Sequence, residues 1–363
     1  MKTLSLKASK SYNIHIGNNI LERADELLCW TSLGNHAVIV TNETLAELYM
    51  SRIRRTFTSI KGISCEIIVL PDTEKIKSFK YMQNICEHVG GLDYRKMPFI
   101  VSIGGGVVGD LCGFCASIVK RGRPFINIPT SLLAMVDSSI GGKTAIDLKA
   151  GKNLVGSFWQ PSAVICDTDF LKTLPADQVR EGLSESIKYG FIYDKNVLTV
   201  IENSLNSIFA GSPIVMNDLV YRCVDIKRRI VQQDEREDKG IRTILNFGHT
   251  FAHAFEACSN YRLSHGKAVS LGMIAALKLS ELCGVLSHKE LMSRLEAVLN
   301  AAKMPVRTAA YDLKKLIETM NKDKKFISGK NRFVLIEDLE KPLILQGVTL
   351  ALVKKAFQYV FKN

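Results

Sequence analysis

No apolar run in this sequence reaches the ~18 residues a membrane-spanning helix needs, which excludes a helical membrane protein. The first residues, MKTLSLKASKSYNIHIG, carry Lys2 and Lys7 but no apolar core, so no secretory signal is read there and the expected compartment is the cytoplasm. A disulfide framework is missing too. The nine cysteines are odd in number and scattered, most of them in apolar surroundings, which reads as reduced, buried thiols. Cys112-Gly-Phe-Cys115 is a lone C-x-x-C without a second pair at zinc spacing, and small residues there suit close packing behind a glycine loop. Internal repeats, low-complexity tracts and long flexible linkers are absent. With 47 % hydrophobic and 23 % charged residues, wholesale disorder is excluded.

What is present begins with length. A chain of 363 residues is long for one core, so two domains are expected. Forty-eight basic residues against 36 acidic ones leave a net charge of +12, which calls for an anionic partner without naming it. Zinc-finger spacing and an RNA-binding aromatic signature are both lacking. Charge alone leaves nucleic acid, lipid and a small phosphate open; only with the motifs below does the expectation become a small anion, with no nucleic acid and no membrane.

In the first half, short apolar runs alternate with helical windows. The runs are HAVIVT (36–41), CEIIVL (65–70), PFIVSI (98–103), RPFINI (123–128) and AVICD (163–167); the windows include 44–57 and 78–89. Alternation of this kind predicts α/β architecture with a mainly parallel sheet, ligands binding at the strands' carboxyl ends. After Pro175 the period lengthens to that of helices, over 179–192, 244–257, 268–282 and 289–302, with 332–336 the clearest strand-like exception. The expected domains are 1–175, α/β, and 176–363, mainly α-helical. A cleft between two such domains is the usual seat of small-molecule chemistry.

Three motifs carry chemistry. Gly104-Gly105-Gly106-Val107-Val108-Gly109-Asp110 follows a strand and opens a helix, so its backbone N–H groups suit a pyrophosphate. The acid of a Rossmann fingerprint is missing from 123–131, and the loop lies deep in the chain, so this is a non-standard dinucleotide site or else a tight structural turn. Gly141-Gly142-Lys143-Thr144 has the end of a P-loop, but Asp137 stands where its first glycine belongs, which argues against an ATPase. Lys143, and Lys152 nearby, remain candidate anion ligands. The third motif is a cluster of histidines. His249 and His253 are four apart and share a helix face, with His265 twelve residues on; two such histidines and a carboxylate make a catalytic metal site. Glu185 is the best carboxylate, sharing a helix flank with Lys188, and the alternative for that pair is a weak surface ion pair. Spacing leaves open which two histidines bind. Lys227, Arg242, Lys322, Lys324 and Lys325 form a basic set suited to a substrate with two anionic groups.

These pieces resemble the 3-dehydroquinate synthase family, from VTNE at 40–43 to NRFVL at 331–335, with 104–110, 129–147, 185–188, 246–256 and HGKAV at 265–269 the most specific blocks. The resemblance implies a Rossmann-like NAD domain followed by an α-helical metal and substrate domain. It implies zinc or cobalt held by Glu185, His249 and His265. The substrate would meet Asp137, Lys143, Lys188, Lys227, Arg242, Asn246, His253, Lys324 and Lys325, with Arg121 reaching the neighbouring site of a homodimer. NAD would meet Asn42, Asp72, Glu74, Lys77, Gly105, Gly106, Val107, Asp110, Thr130, Ser131, Lys143, Lys152, Asn153, Phe170 and Thr173. The implied reaction converts 3-deoxy-D-arabino-heptulosonate 7-phosphate to 3-dehydroquinate and phosphate, by oxidation, β-elimination, reduction, ring opening and aldol closure. Departures from the family pattern are Thr73, Ser184, Ala252 and Lys267, where Gly, Ala, Gly and Glu are common. The rival readings are a related sugar-phosphate cyclase of secondary metabolism, which matches Arg242, Asn246 and His253 less well, and a metal-dependent polyol dehydrogenase, which has no need of so many basic substrate residues.

Overall fold

Strands that are buried on both faces must be apolar throughout, and four such runs, within 36–42, 98–104, 125–129 and 163–167, set the frame of the computed structural model, which describes residues 1–29, 31–321 and 331–362. The chain packs as two compact units, Met1–Leu174 with Met216–Arg236, and Pro175–Val215 with Glu237–Asn363.

The first unit is built on a seven-stranded sheet. Its strands are β1 (Lys2–Leu6), β2 (Tyr12–Gly17), β3 (His36–Asn42), β4 (Ser64–Leu70), β5 (Pro98–Gly104), β6 (Phe125–Pro129) and β9 (Ala163–Asp167). A hairpin, β7 (Lys143–Leu148) and β8 (Gly151–Phe158), stands apart from that sheet. The helices are α1 (Ala24–Leu28), α2 (Glu43–Thr58), α3 (Phe79–Gly90) and α4 (Gly106–Ile118). Strand order is β1-β2-β9-β6-β5-β3-β4, with every pair parallel except β1–β2. From β3 the chain winds one way to β4 and the other way to β5. The order therefore reverses between β3 and β5, and the crevice outside their carboxyl ends is where a parallel sheet takes its ligand. Asn42 ends β3 there and Gly104 ends β5. Beneath lies an apolar core of Val38, Val40, Ile100, Val108, Leu111 and Cys115.

The second unit holds α5 (Ala176–Ile192), α6 (Lys195–Phe209), α8 (His249–Cys258), α9 (His265–Leu282), α10 (Glu290–Ala301), α11 (Leu313–Asn321), the antiparallel pair β10 (Arg332–Asp338) and β11 (Lys341–Gln346), and α12 (Leu350–Tyr359). Helix α9 is its axis, buried at every residue from Ala268 to Leu277, as a helix must be when it is apolar all round. Phe251 of α8 stacks edge-on against Phe357 of α12 at 4.8 Å.

Between α6 and α8 runs α7 (Pro213–Gln233), and most of it packs with the first unit, where a single cut at 175 does not put it. Polar contacts fix it there. Asp218 pairs with Lys2 at 3.6 Å, Arg228 donates to the Ser5 carbonyl at 3.3 Å, and Thr168 donates to Asn217 at 2.8 Å. The 244–257 window, expected as one helix, is two pieces: a 3₁₀ turn over Arg242–Asn246, then α8. The break falls at Gly248, whose φ of 79° no continuous right-handed helix accommodates. No helix among the described residues is long and apolar enough to cross a membrane. All nine cysteines are free thiols.

Candidate active site: a glycine crevice and a Glu-His-His cluster

In the second unit, Leu183 and Ile187 fill the core and bring Glu185 of α5 inward with them. Glu185 is 0 % and Lys188 2 % exposed, so the pair is not the surface ion pair that spacing alone allowed. Lys188 binds the Oε2 atom of Glu185. The Oε1 atom faces Nε2 of His249 at 3.3 Å and Nε2 of His265 at 3.4 Å, yet accepts no hydrogen bond. A buried carboxylate oxygen flanked by two ring nitrogens suits a cation, bound in place of any ring proton. Zinc ligands at ~2.0–2.2 Å and tetrahedral angles lie about 3.3 Å apart, so the donor set fits. The three ligand atoms lie within 4.8 Å of one another, and no other such trio occurs among the described residues.

Each histidine starts a helix, and each is steered through its other nitrogen. His249 Nδ1 lies 3.2 Å from the Phe247 carbonyl, and His265 Nδ1 lies 3.4 Å from Glu256 Oε1. Such outer contacts fix the ring and its tautomer. Glu256, 7 % exposed, was not singled out from the sequence; the signal was its place two turns after His249 on the same helix. His253 shares the His249 face, with ring centroids 5.7 Å apart, but is exposed and lies outside the trio.

Charges in this cluster follow from burial and pairing. Burial alone would raise the pKa of Glu185; Lys188 and the two histidines outweigh it and hold the carboxyl well below its usual range. Burial pushes His249 down to about 4, so its ring is neutral at pH 7. Burial acts downward on His265 as well, but Glu185 and Glu256 prevail and raise it to about 10. In the metal-free protein the protonated His265 thus contributes stability that is complete below its ordinary 6.5 and is lost as pH rises through about 10. A metal must displace that proton. Zinc binding at pH 7–8 is expected to release about one proton, so affinity climbs about tenfold per pH unit. Calorimetry in two buffers of different ionisation enthalpy measures this, and a count of zero would contradict it.

Around the cluster in the same unit, Arg242 is 2 % exposed with Glu237 at 3.9 Å, and Asn246 is half-buried three residues before His249. Lys322, Lys324 and Lys325 lie outside the described residues.

In the first unit the candidate NAD residues gather at the strand-order reversal. Asn42 accepts from the Leu45 N–H to cap α2 and donates to Asp72 at 2.8 Å. Gly105 precedes the first turn of α4, with Gly106 and Val107 in that turn. Thr130 donates its N–H to the Gly104 carbonyl at 3.0 Å, and Ser131 caps the turn after β6. Lys77, 5 % exposed, donates to Asp110 at 2.7 Å and to Asn153 at 2.5 Å. Burial lowers the Lys77 pKa, but Asp110, Asp147 and Glu74 together raise it; Asp110 is raised too, because burial there outweighs its one cation. Lys152 pairs with Glu74 at 3.2 Å. Thr173 bonds Tyr49 at 2.7 Å, and the Tyr49 ring packs edge-on to Phe170 at 4.9 Å. A small cavity behind the loop is lined by Gly105, Gly106, Asp110, Ser138, Ser139 and Lys143. Lys143 is exposed and opens β7 just after a left-handed Gly141-Gly142 turn. Lys227 donates to the Asp137 carboxylate at 2.7 Å and to its carbonyl at 2.6 Å. Arg121 is exposed at φ 61°, next to Lys120 at 46°.

Residues 67–181 match the 3-dehydroquinate synthase N-terminal family, and residues 182–326 match the 3-dehydroquinate synthase C-terminal family. The chain is 40 % identical over 360 residues to the 3-dehydroquinate synthase of Neisseria meningitidis serogroup C (strain 053442), covering 99 % of each. The chain belongs to the 3-dehydroquinate synthase family. Among solved structures, 2-deoxy-scyllo-inosose synthase complexed with carbaglucose-6-phosphate, NAD⁺ and Co²⁺ is similar at TM-score 0.86 and 25 % identity, covering 98 % of this chain and 99 % of that one. The 2-epi-5-epi-valiolone synthase of Streptomyces hygroscopicus subsp. jinggangensis 5008, with NAD⁺ and Zn²⁺ bound, shares the fold at TM-score 0.87 and 23 % identity, covering 99 % of each. This 3-dehydroquinate synthase family member absorbs its departures locally. Ser184 donates to the Glu181 carbonyl at 2.8 Å, Thr73 caps the turn at Glu74–Ile76, Ala252 is fully buried and Lys267 half-buried.

Proposed function

We propose that this chain is a 3-dehydroquinate synthase, converting 3-deoxy-D-arabino-heptulosonate 7-phosphate to 3-dehydroquinate and phosphate. The observation that carries the reading is the convergence of Glu185, His249 and His265 around an orphaned carboxylate oxygen, in a chain of this family. Glu185, His249 and His265 hold the metal, zinc or cobalt, which when bound polarises the substrate hydroxyl and makes its proton easier to remove. The crevice at Gly105, Gly106 and Val107, with Asn42, Asp72, Glu74, Lys77, Asp110, Thr130, Ser131, Lys152, Asn153, Phe170 and Thr173, holds NAD, which supplies reversible hydride transfer at C5.

The other residues position the substrate. Lys188, already neutralising one oxygen of Glu185 in the second unit, and Lys227, held by Asp137 in the first, are cations suited to the substrate's phosphate and carboxylate. Arg242, Asn246, His253, Lys143, Lys324 and Lys325 are the remaining substrate residues of this reading, their role being to hold the substrate in one reactive pose. His253, exposed beside the metal histidine, is read as a contact to the substrate phosphate. The enzyme acts in the cytoplasm as a homodimer, with Arg121 lent to the second copy's site.

Purified protein given the heptulosonate phosphate, zinc and substoichiometric NAD⁺ is expected to release many phosphates per NAD⁺ while NADH does not accumulate. Chelation of the metal abolishes this, and cobalt or zinc restores it. A folded, metal-loaded protein that releases no phosphate would overturn the reading. A carbocyclic product formed from a different sugar phosphate would assign the chain to a related cyclase.

A further inference from the structure

Glu181 lies one turn before Glu185 on α5, so both carboxylates leave the same helix face. Its Oε2 accepts the backbone N–H of Gly266 at 2.5 Å, and its Oε1 accepts the Ser264 hydroxyl at 2.5 Å. These partners are the residues on either side of His265. A helix begins with N–H groups that lack intrahelical partners, usually capped by the residue just before the first turn. Ser264 holds that place in α9, yet its side chain makes no cap; its hydroxyl is turned to Glu181 instead. The cap of α9 is thus supplied from α5, the helix that carries the metal carboxylate. The fit is close, because a β-carbon on Gly266 would fall 2.7 Å from the Glu181 Cα and 2.8 Å from the Ser184 hydroxyl. A carboxylate at a helix N-terminus also meets its positive end.

We propose that Glu181 is a positioning residue for the metal centre: by clamping Ser264 and Gly266 it fixes the first residue of α9, His265, against Glu185. The inference rests on the metal reading above. It assigns a role to a side chain that does not touch the metal, whereas Glu256 acts on the imidazole itself. Both hydrogen bonds can be kept by an amide, whose oxygen accepts from Gly266 and whose NH₂ donates to Ser264. They cannot be kept by a methyl group.

The test is zinc affinity measured by chelator competition on purified wild type, E181A, E181Q and H265A, with circular dichroism to show folding. Wild type is expected to bind one zinc per chain, and H265A none tightly. E181A is expected to fold and bind zinc about 10–100-fold more weakly, the usual cost of losing an outer-shell partner. E181Q is expected to stay within about threefold of wild type. The visible spectrum of the cobalt-loaded protein should change in E181A and not in E181Q, which a merely stabilising residue would not bring about. Should E181A fail to fold, S264A, which removes only the hydroxyl contact, carries the test with an expected weakening of about 3–10-fold. Wild-type zinc affinity in folded E181A, or an equal loss in E181A and E181Q, would overturn the proposal. Absence of stoichiometric zinc in wild type would instead overturn the metal reading, so the two failures are distinct.

Discussion

His265→Ala is expected to leave a folded protein that binds neither zinc nor cobalt tightly and releases phosphate at least about 10³-fold more slowly. The size follows from what a catalytic metal contributes, several kcal/mol of transition-state stabilisation at about 1.4 kcal/mol per decade of rate. The geometry explains why no neighbour can stand in. Glu185 Oε1 and His249 Nε2 would remain 3.3 Å apart, but two donors do not make a site, and Lys188 already occupies Oε2. Glu256, 7 % exposed, would lose the ring it steers. His253→Ala is the control. His253 lies outside the trio, so this variant should keep its metal while catalysis falls. Metal content by mass spectrometry and phosphate release read both variants. Retention of metal and rate by His265→Ala would remove that residue from the centre.

The second large effect is expected at the glycine loop. Gly106→Val should weaken NAD binding at least about 100-fold and cost about 1–3 kcal/mol of stability, the range for overpacking a tight site. A β-carbon at Gly106 would already lie 2.8 Å from the Ser138 hydroxyl, and valine adds two methyl groups at the helix start, where α4 would receive a pyrophosphate. Equilibrium titration with NAD⁺ and a thermal melt separate the two effects. Unchanged NAD affinity would mean that the loop is only a tight turn.

The sequence was most readable where one physical rule governs a segment. Strands β3, β5, β6 and β9 are buried on both faces, so they stand out as unbroken apolar runs. Among the antiparallel strands only β10, with its buried FVLI, announces itself in this way. β1, KTLSL, exposes most of its residues, and β8 contains two glycines and has no buried residue, so neither shows an unbroken apolar run. The 3₁₀-to-α8 break was missed because the apolar spacing of 244–257 continues across Gly248, while the backbone does not. At the site, an i, i+4 pair suggested His249 and His253 as neighbours, which they are. Partnership with His265 depends on α9 packing against α8 and α5, a tertiary fact that no local spacing contains. Glu181 and Glu256 were opaque for the same reason: each acts on a residue brought near by packing, across 85 positions in the Glu181–Gly266 bond.

Helix α9 behaves as a beam clamped along its length. Its body from Ala268 to Leu277 has no face in water, and its first residue is a metal-centre histidine. A side chain on a loop can be displaced alone. His265 is carried on the first turn of this helix, so a repacking that shifts α9 as a body, at Leu271 or Ile274 for instance, also shifts the backbone that carries His265. Core and candidate metal cluster share one helix in this unit, so a substitution that moves α9 far from its first turn bears on the donor geometry at Glu185, His249 and His265.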